Sequence, residues 1–292
     1  MRVIDTHVHL YPPEAGREPT AWAAAQGENH WATLCTRVRK SGQPVQTFPT
    51  VDQLLRDMDT AGVAKAVLLG WYWENHATCV WQNKFYAECV RAHPDRLAAF
   101  ATVQPAAGAE AFDEVLRAQG EGLIGLGELS PHSQRVALSD PWWIKLIELA
   151  GALKFPVNLH VTDPKSAVYP GRIETPLADF VRLAREFPQT KFILAHWGGG
   201  MALDAECGKL RNVSYDTAAS PLIYGSEVWA KAVNVGHGGQ IMFGSDYPLI
   251  LFPKTETDPG MLGILDEAVS GGLTETQTSA ILGGNAKKLF GW

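Results

Sequence analysis

The sequence predicts an α/β fold, a single (β/α)8 barrel with a long loop after its first strand. Three observations predict it. Eight short apolar runs recur along the chain, amphipathic segments with helix caps lie between them, and the whole occupies 292 residues. One barrel domain routinely takes up that length, so residues 1–292 are read as one domain, a TIM barrel.

The strands are expected at Val3–Leu10, Ala64–Trp71, Ala98–Val103, Leu123–Leu129, Pro156–Val161, Lys191–Trp197, Val213–Ala218 and Gln240–Asp246. Each is mostly apolar rather than strictly alternating, as a strand covered on both faces must be. Helices are expected at Val51–Ala61 after Thr50, at Ala107–Gln119 before Gly120, and at Pro141–Leu153 after Asp140. Another is expected over Pro176–Phe187 with Thr175 as its cap, and a last one opens on Thr274 with Gln277 three residues on, a capping-box spacing. An open doubly wound sheet is the competing arrangement. Its dinucleotide-binding form needs a glycine fingerprint after the first strand, where this chain has Tyr11-Pro12-Pro13.

About forty residues separate the first strand from Val51, a long connection that carries Arg17, Trp22 and Trp31. In a barrel such a loop lies on the face that bears the active site, so it reads as a lid or a substrate-shaping element. Charged residues make up 19% of the chain and the net charge is −6. That balance argues against nucleic acid as a partner, although Arg37, Arg39, Lys40 and Arg135 could hold a phosphate or carboxylate locally. The four cysteines form no C-x-x-C pair, and MRVIDTHVHL is too short and interrupted to read as a secretion signal. No run reaches the apolar length of a membrane span, so a cytoplasmic location is expected, with a homodimer plausible from Trp142 and Trp143.

The chemistry is expected at the C-terminal ends of the strands. His7 and His9 share one side of the first strand, with about 6–7 Å between their Cα atoms, so both imidazoles can reach one ion. Asp5 shares their parity one layer deeper and could accept a ring N–H of His7. Glu128 ends the fourth strand, His160 the fifth, His196 the sixth and Asp246 the eighth, with Asp216 a weaker candidate on the seventh. A lone histidine in an apolar strand is more often a satisfied core residue than a ligand. The set falls at one end of successive strands, which chance placement does not explain. His93 and His237 sit at the opposite end, and His30 and His76 in loops or helix starts.

DTHVHL from Asp5, NLHV around His160, ILAHWGG around His196, FGSDYP around Asp246 and the closing ILGGNAKKLFG together resemble the amidohydrolase superfamily. More narrowly they are similar to its amidohydrolase-related branch, with aminocarboxymuconate-semialdehyde decarboxylase, resorcylate-type decarboxylases and sugar and pyrone lactonases. The resemblance implies that His7, His9, His160 and Asp246 bind a divalent metal, usually zinc, that Asp246 handles a proton of bound water, and that His196 orients water or substrate. Glu128 departs from the decarboxylases of the branch and matches the bridging acid of TatD-like nucleases. The chain therefore carries ligands for one ion or two, and one firm site with Glu128 as a further ligand or close neighbour is expected. Imidazole and carboxylate donors suit zinc, manganese or iron equally.

A divalent ion lowers the pKa of bound water to about 7, which supplies a nucleophile at neutral pH. The leading expectation is accordingly a metal-dependent hydrolase of a small polar ester, lactone or amide. The alternative is a non-oxidative metal-dependent decarboxylase of an aromatic or enoic acid, and a metal-free binding barrel is the remaining possibility. Trp71, His132 and Arg135 are expected to touch substrate, and Lys165, Tyr169 and Arg172 are further contacts suggested by loop position.

Overall fold

The computed structural model describes residues 2–292. Eight parallel strands follow one another in chain order: β1 Val3–Val8, β2 Val63–Leu68, β3 Leu97–Ala99, β4 Leu126–Leu129, β5 Val157–Leu159, β6 Phe192–Leu194, β7 Val213–Asp216 and β8 Ile241–Met242. They form two arcs, β1-β2-β3 and β4-β5-β6-β7-β8. At one seam Ala101 bridges to Leu126, with the Ala101 N–H on the Gly125 carbonyl at 2.9 Å and the Gly127 N–H on the Ala101 carbonyl at 2.8 Å. At the other, Val8 bridges to Tyr247, and the N–H groups of Thr6 and His9 bond the carbonyls of Phe243 and Tyr247 at 2.8 and 2.7 Å.

All eight strands are shorter than the apolar runs suggest. In every strand but β4, which starts late at Leu126 and ends at Leu129 as expected, residues are lost at the C-terminal end, where the backbone leaves the ladder to aim side chains into the barrel mouth. Strand β6 stops at Leu194 because His196 and Trp197 take the left-handed conformation, both at φ 57°. Strand β8 keeps two residues, and Asp246 beyond it also has positive φ, at 68°. A non-glycine residue in that region cannot continue a strand and is held there only by its surroundings.

Register places the site. Leu126 pairs with Val157, Val157 with Phe192 and Phe192 with Val213, so these four lie in one row across the larger arc. Glu128, His160, His196 and Asp216 stand two to four residues above that row. Val67, Ala98, Ile193 and Met242 come from both arcs and pack together with Ile4 and Phe100, filling the interior beneath the mouth.

The helices follow their caps. Val51–Ala61 starts on Thr50, whose hydroxyl accepts the Gln53 N–H, and stops at left-handed Gly62. Pro141–Leu153 starts on Asp140, which accepts from the Trp142 and Trp143 N–H groups. Thr274 and Gln277 make the reciprocal capping box. Two expectations are corrected. The helix read from Pro176 begins at Leu177, and Thr175 is not its cap: its hydroxyl accepts the Thr162 N–H at 2.7 Å, tying that loop to the end of β5. The helix read from Ala107 begins at Ala109, after a separate 3-10 turn at Pro105–Ala107. The helix His76–Ala92 is masked in the sequence because its inward face is partly polar: Gln82 and Asn83 are buried and bond the Trp71 N–H and the Thr102 backbone.

The long first loop is ordered as three short helices, Pro13–Arg17, Pro19–Gln26 and Asn29–Cys35, followed by a hairpin that pairs Val38 with Pro44. Tyr11, Trp31, Trp71, Tyr72 and Trp73 form an aromatic cluster that seats this loop on the barrel. Among the described residues, no helix is long and apolar enough to cross a membrane.

Candidate metal centre

The histidines at the strand ends are fixed by what their second nitrogens touch. His9 Nδ1 lies 3.0 Å from the Leu69 carbonyl and His196 Nδ1 3.1 Å from the Ala218 carbonyl. A carbonyl only accepts, so each ring carries its hydrogen on Nδ1 and presents a lone pair at Nε2. His7 Nδ1 lies 2.9 Å from Asp216 Oδ2, which fixes the same tautomer. The Thr162 hydroxyl spends its hydrogen on the Ile173 carbonyl at 2.7 Å, so it accepts from His160 Nε2 at 3.3 Å and leaves the lone pair of His160 on Nδ1.

These lone pairs converge on each other and on two carboxylates. His7 Nε2 is 3.1 Å from His9 Nε2, and each is 3.5 Å from Asp246 Oδ1. Glu128 Oε1 is 3.0 Å from His160 Nδ1 and 3.6 Å from His196 Nε2, and those two nitrogens are 3.2 Å apart. Glu128 Oε2 lies 3.6 Å from His9 Nε2 and 3.9 Å from His7 Nε2, so the two triads adjoin. Six acceptors with no hydrogen to share are gathered in a buried place. Burying such groups without a donor is costly, and a cation is the partner that satisfies them all. The donor set therefore fits a divalent metal.

Electrostatics agree. Burial disfavours charge on His7, but Asp216, Glu128 and Asp246 outweigh it and push its pKa up to about 10. His196 is pushed to about 9, with burial opposed by Glu128 and Asp246. Burial and the charge of His7 pull His9 down. Burial raises the Glu128 carboxyl, yet the histidines around it hold it well below the usual range. In metal-free protein the carboxylates would draw protons onto His7 and His196.

Asp216 is the anchor of this arrangement. It accepts four hydrogen bonds, from His7 Nδ1, from the Asn158 amide at 3.1 Å, and from the N–H groups of His196 and Ala218, each at 3.1 Å. It belongs to the strand that the sequence marks most weakly, and its only signal is its place at a strand end. Asp5, expected as the ring partner of His7, instead accepts backbone N–H groups, from His7 at 3.1 Å and Ser245 at 3.0 Å. Parity aims the side chain of Asp5 at the neighbouring turn after β8, below the ring.

The centre opens into a cavity of about 340 Å³. His9, Glu128, His160, His196 and Asp246 line it, while His7 lies behind them. Trp71 also lines it, stacked on Tyr72 with centroids 4.3 Å apart. Tyr169 and Arg172 reach the cavity and Lys165 does not. His132 and Arg135 are not among the lining residues either. The ring of His132 is drawn to Asp179 at 3.0 Å, and Arg135 is exposed on a left-handed turn. The first loop supplies further wall residues: Arg37 and Arg39, which the sequence marks as possible anion contacts, and Cys35 and Gln46, which it leaves unassigned.

Solved structures with this architecture are numerous. The 5-carboxyvanillate decarboxylase of Sphingomonas paucimobilis matches with a TM-score of 0.76 at 19% identity, over 99% of this chain and 98% of that one. A dihydroxybenzoic acid decarboxylase of Polaromonas sp. JS666, solved with manganese and 2-nitroresorcinol, matches at 0.72 and 19%, over 99% and 97%. A probable 2-pyrone-4,6-dicarboxylic acid hydrolase of Acinetobacter baumannii matches at 0.65 and 17%, over the full length of both. Among curated proteins no sequence matches significantly. The family model described as Amidohydrolase matches residues 4–292. With that match across the barrel and its mouth, the chain belongs to the amidohydrolase family.

Proposed function

We propose that this chain is a metal-dependent, non-oxidative decarboxylase of a hydroxylated aromatic acid. The observation that carries the reading is the shared cavity, in which a cation-seeking centre and the flat Trp71–Tyr72 stack line one space. The decarboxylases with the same fold support it, one of them solved with manganese. The hydrolase expected from the sequence has less behind it: the decarboxylase matches carry higher TM-scores than the pyrone hydrolase.

In this reading His7, His9 and Asp246 hold one divalent ion, with Glu128, His160 and His196 as adjoining ligands or neighbours. When bound, the ion would supply positive charge that polarises the substrate as the carbon–carbon bond breaks. Trp71 and Tyr72 hold the ring flat and keep water from it. When carbon dioxide leaves, the electron pair stays on the ring carbon, which must take a proton. Asp246 is 13% exposed toward the cavity and is placed to relay it: its carboxylate would first take the proton of the substrate hydroxyl and then pass it to the ring carbon, and the phenolate left behind would be reprotonated from solvent. Asp216 keeps His7 oriented throughout.

The test loads chelator-stripped protein with manganese or zinc and offers hydroxybenzoic acids beside small lactones. Release of carbon dioxide with the matching phenol is the expected result. Lactone opening with no acid losing carbon dioxide would overturn the reading in favour of a hydrolase.

A further inference from the structure

Two tyrosines at the cavity have hydroxyls for which the fold provides no partner. The chain has seven tyrosines. Four bond within the fold: Tyr11 lies 3.8 Å from Cys35 Sγ, Tyr86 donates to the Leu69 carbonyl and Tyr247 to Asp57, each at 2.7 Å, and Tyr224 donates to Asp163. The hydroxyl of Tyr215 is sealed in the interior. Tyr72 and Tyr169 remain. Neither hydroxyl is sealed, neither has a hydrogen-bond partner among the described residues, and both residues line the cavity.

They reach it from different arcs of the barrel. Tyr72 follows β2, and Tyr169 lies in the loop after β5. Each ring is held through its face rather than its hydroxyl. Tyr72 stacks on Trp71, and its centroid lies 5.2 Å from that of His160. Arg37 lies 4.5 Å from the Tyr169 ring centroid. His30 joins the two sides. Its ring is 5.8 Å from that of Tyr72, and its Nε2–H donates to the Gly171 carbonyl at 2.9 Å, two residues beyond Tyr169. A phenol with its ordinary pKa of about 10 keeps its hydrogen at neutral pH. Burial, with the negative charge of Glu128 and Asp246, pushes both hydroxyls higher still, against the pull of Arg37 and Arg172 on Tyr169. Two neutral O–H donors thus stand free beside a centre built from acceptors, and the partner each wants is an oxygen that a ligand brings.

We infer that the Tyr72 and Tyr169 hydroxyls form a donor pair for the phenolate oxygen of the substrate. The inference rests on the hydroxylated-acid reading above and adds two residues to it. When Asp246 takes the proton of the substrate hydroxyl, the oxygen left behind is an anion. Both tyrosines donate to that oxygen and keep their own hydrogens, so no bond in either residue breaks. Hydrogen bonds to a charged oxygen are stronger than those to a neutral one, and donors fixed in advance gain most where charge gathers.

The probe is 2-nitroresorcinol, whose ionised form absorbs visible light, titrated with pH while bound to manganese-loaded protein. The parent protein is expected to bind the phenolate more tightly than the phenol. Tyr72→Phe and Tyr169→Phe keep each ring and remove only its hydroxyl. Each is expected to weaken phenolate binding about tenfold and so to raise the pKa of the bound probe by about one unit. Benzoate, which has no hydroxyl, should bind both variants as it binds the parent, and an unchanged melting temperature guards against misfolding. A bound pKa that either substitution leaves in place, or a substitution that weakens benzoate as much as the phenolate, would overturn the pair. A tyrosine-dependent shift with no carbon dioxide released from any acid keeps the pair and sinks the decarboxylase reading. Carbon dioxide release at the parental rate by both variants, with no shift, does the reverse.

Discussion

At the scale of single residues, Asp216 and Asp246 do different work and should fail differently. Asp216 never faces the cavity and acts through His7, so Asp216→Asn should weaken metal binding by about 10–100-fold. A competition titration with a chromophoric chelator reads this directly, and unchanged affinity would deny the anchoring role. On the proposed mechanism Asp246→Asn removes the group that relays the proton, and the rate on the true substrate should fall by about 10²–10⁴. The pH dependence follows from His7. Its folded pKa of about 10 stands above the ordinary imidazole value of 6.5, so in metal-free protein its contribution to stability is full below pH 6.5 and is lost as pH rises toward 10. Metal needs the unprotonated Nε2, so metal affinity should rise through the same window, by up to about tenfold per pH unit. A flat affinity profile between pH 6.5 and 9 would contradict this.

At the scale of elements, the sequence is most readable where local chemistry decides. Thr50, Asp140 and the Thr274–Gln277 box start helices because a side-chain oxygen there meets an orphan N–H whatever the rest of the fold does. Strand ends are not local in this way. The left-handed turns at His196 and Asp246 are imposed by contacts from other strands, such as the Asp246 N–H on the His7 carbonyl at 2.9 Å, so the apolar runs overstate every strand. Gly244 shows the same dependence. A Cβ there would stand 2.8 Å from His7 Cβ and 3.3 Å from Asp216 Cβ, so β8 can approach β1 and β7 only without one. Gly244→Ala should cost about 1–3 kcal/mol and also weaken metal binding, because it pushes apart the pair that orients His7. Thr50→Ala should cost about 1 kcal/mol and leave metal affinity alone. Measuring melting temperature and metal affinity on both variants separates the two; equal loss of affinity would refute the Gly244 argument.

At the scale of the whole molecule, the centre spans the division between the arcs. His7 and His9 rise from β1, while Glu128, His160, His196 and Asp246 rise from the larger arc. The regular strand pairing is thinnest at the seams, where single bridges stand in for a ladder. The sequence could mark the donors gathered at the centre as candidates, since each sits at the end of an apolar run, and Arg37 and Arg39 as local basic residues, but it could not foretell the seams or the cavity wall that those arginines join, which exist only once distant segments meet. A bound ion ties the two arcs at the mouth, so it should stabilise the fold by mass action. At a free metal concentration a hundredfold above Kd that amounts to about 2.7 kcal/mol. Stripping the metal should then lower the melting temperature on the order of 5 °C, reversibly on adding manganese. His7→Asn, which removes the proposed ligand from β1, should melt at the same temperature with and without chelator. If the parent protein proved equally indifferent to chelator while still holding metal, the ion would serve the chemistry alone, and the weak seams would have to be secured by the packing of Ile4, Val67, Phe100, Ile193 and Met242 beneath it.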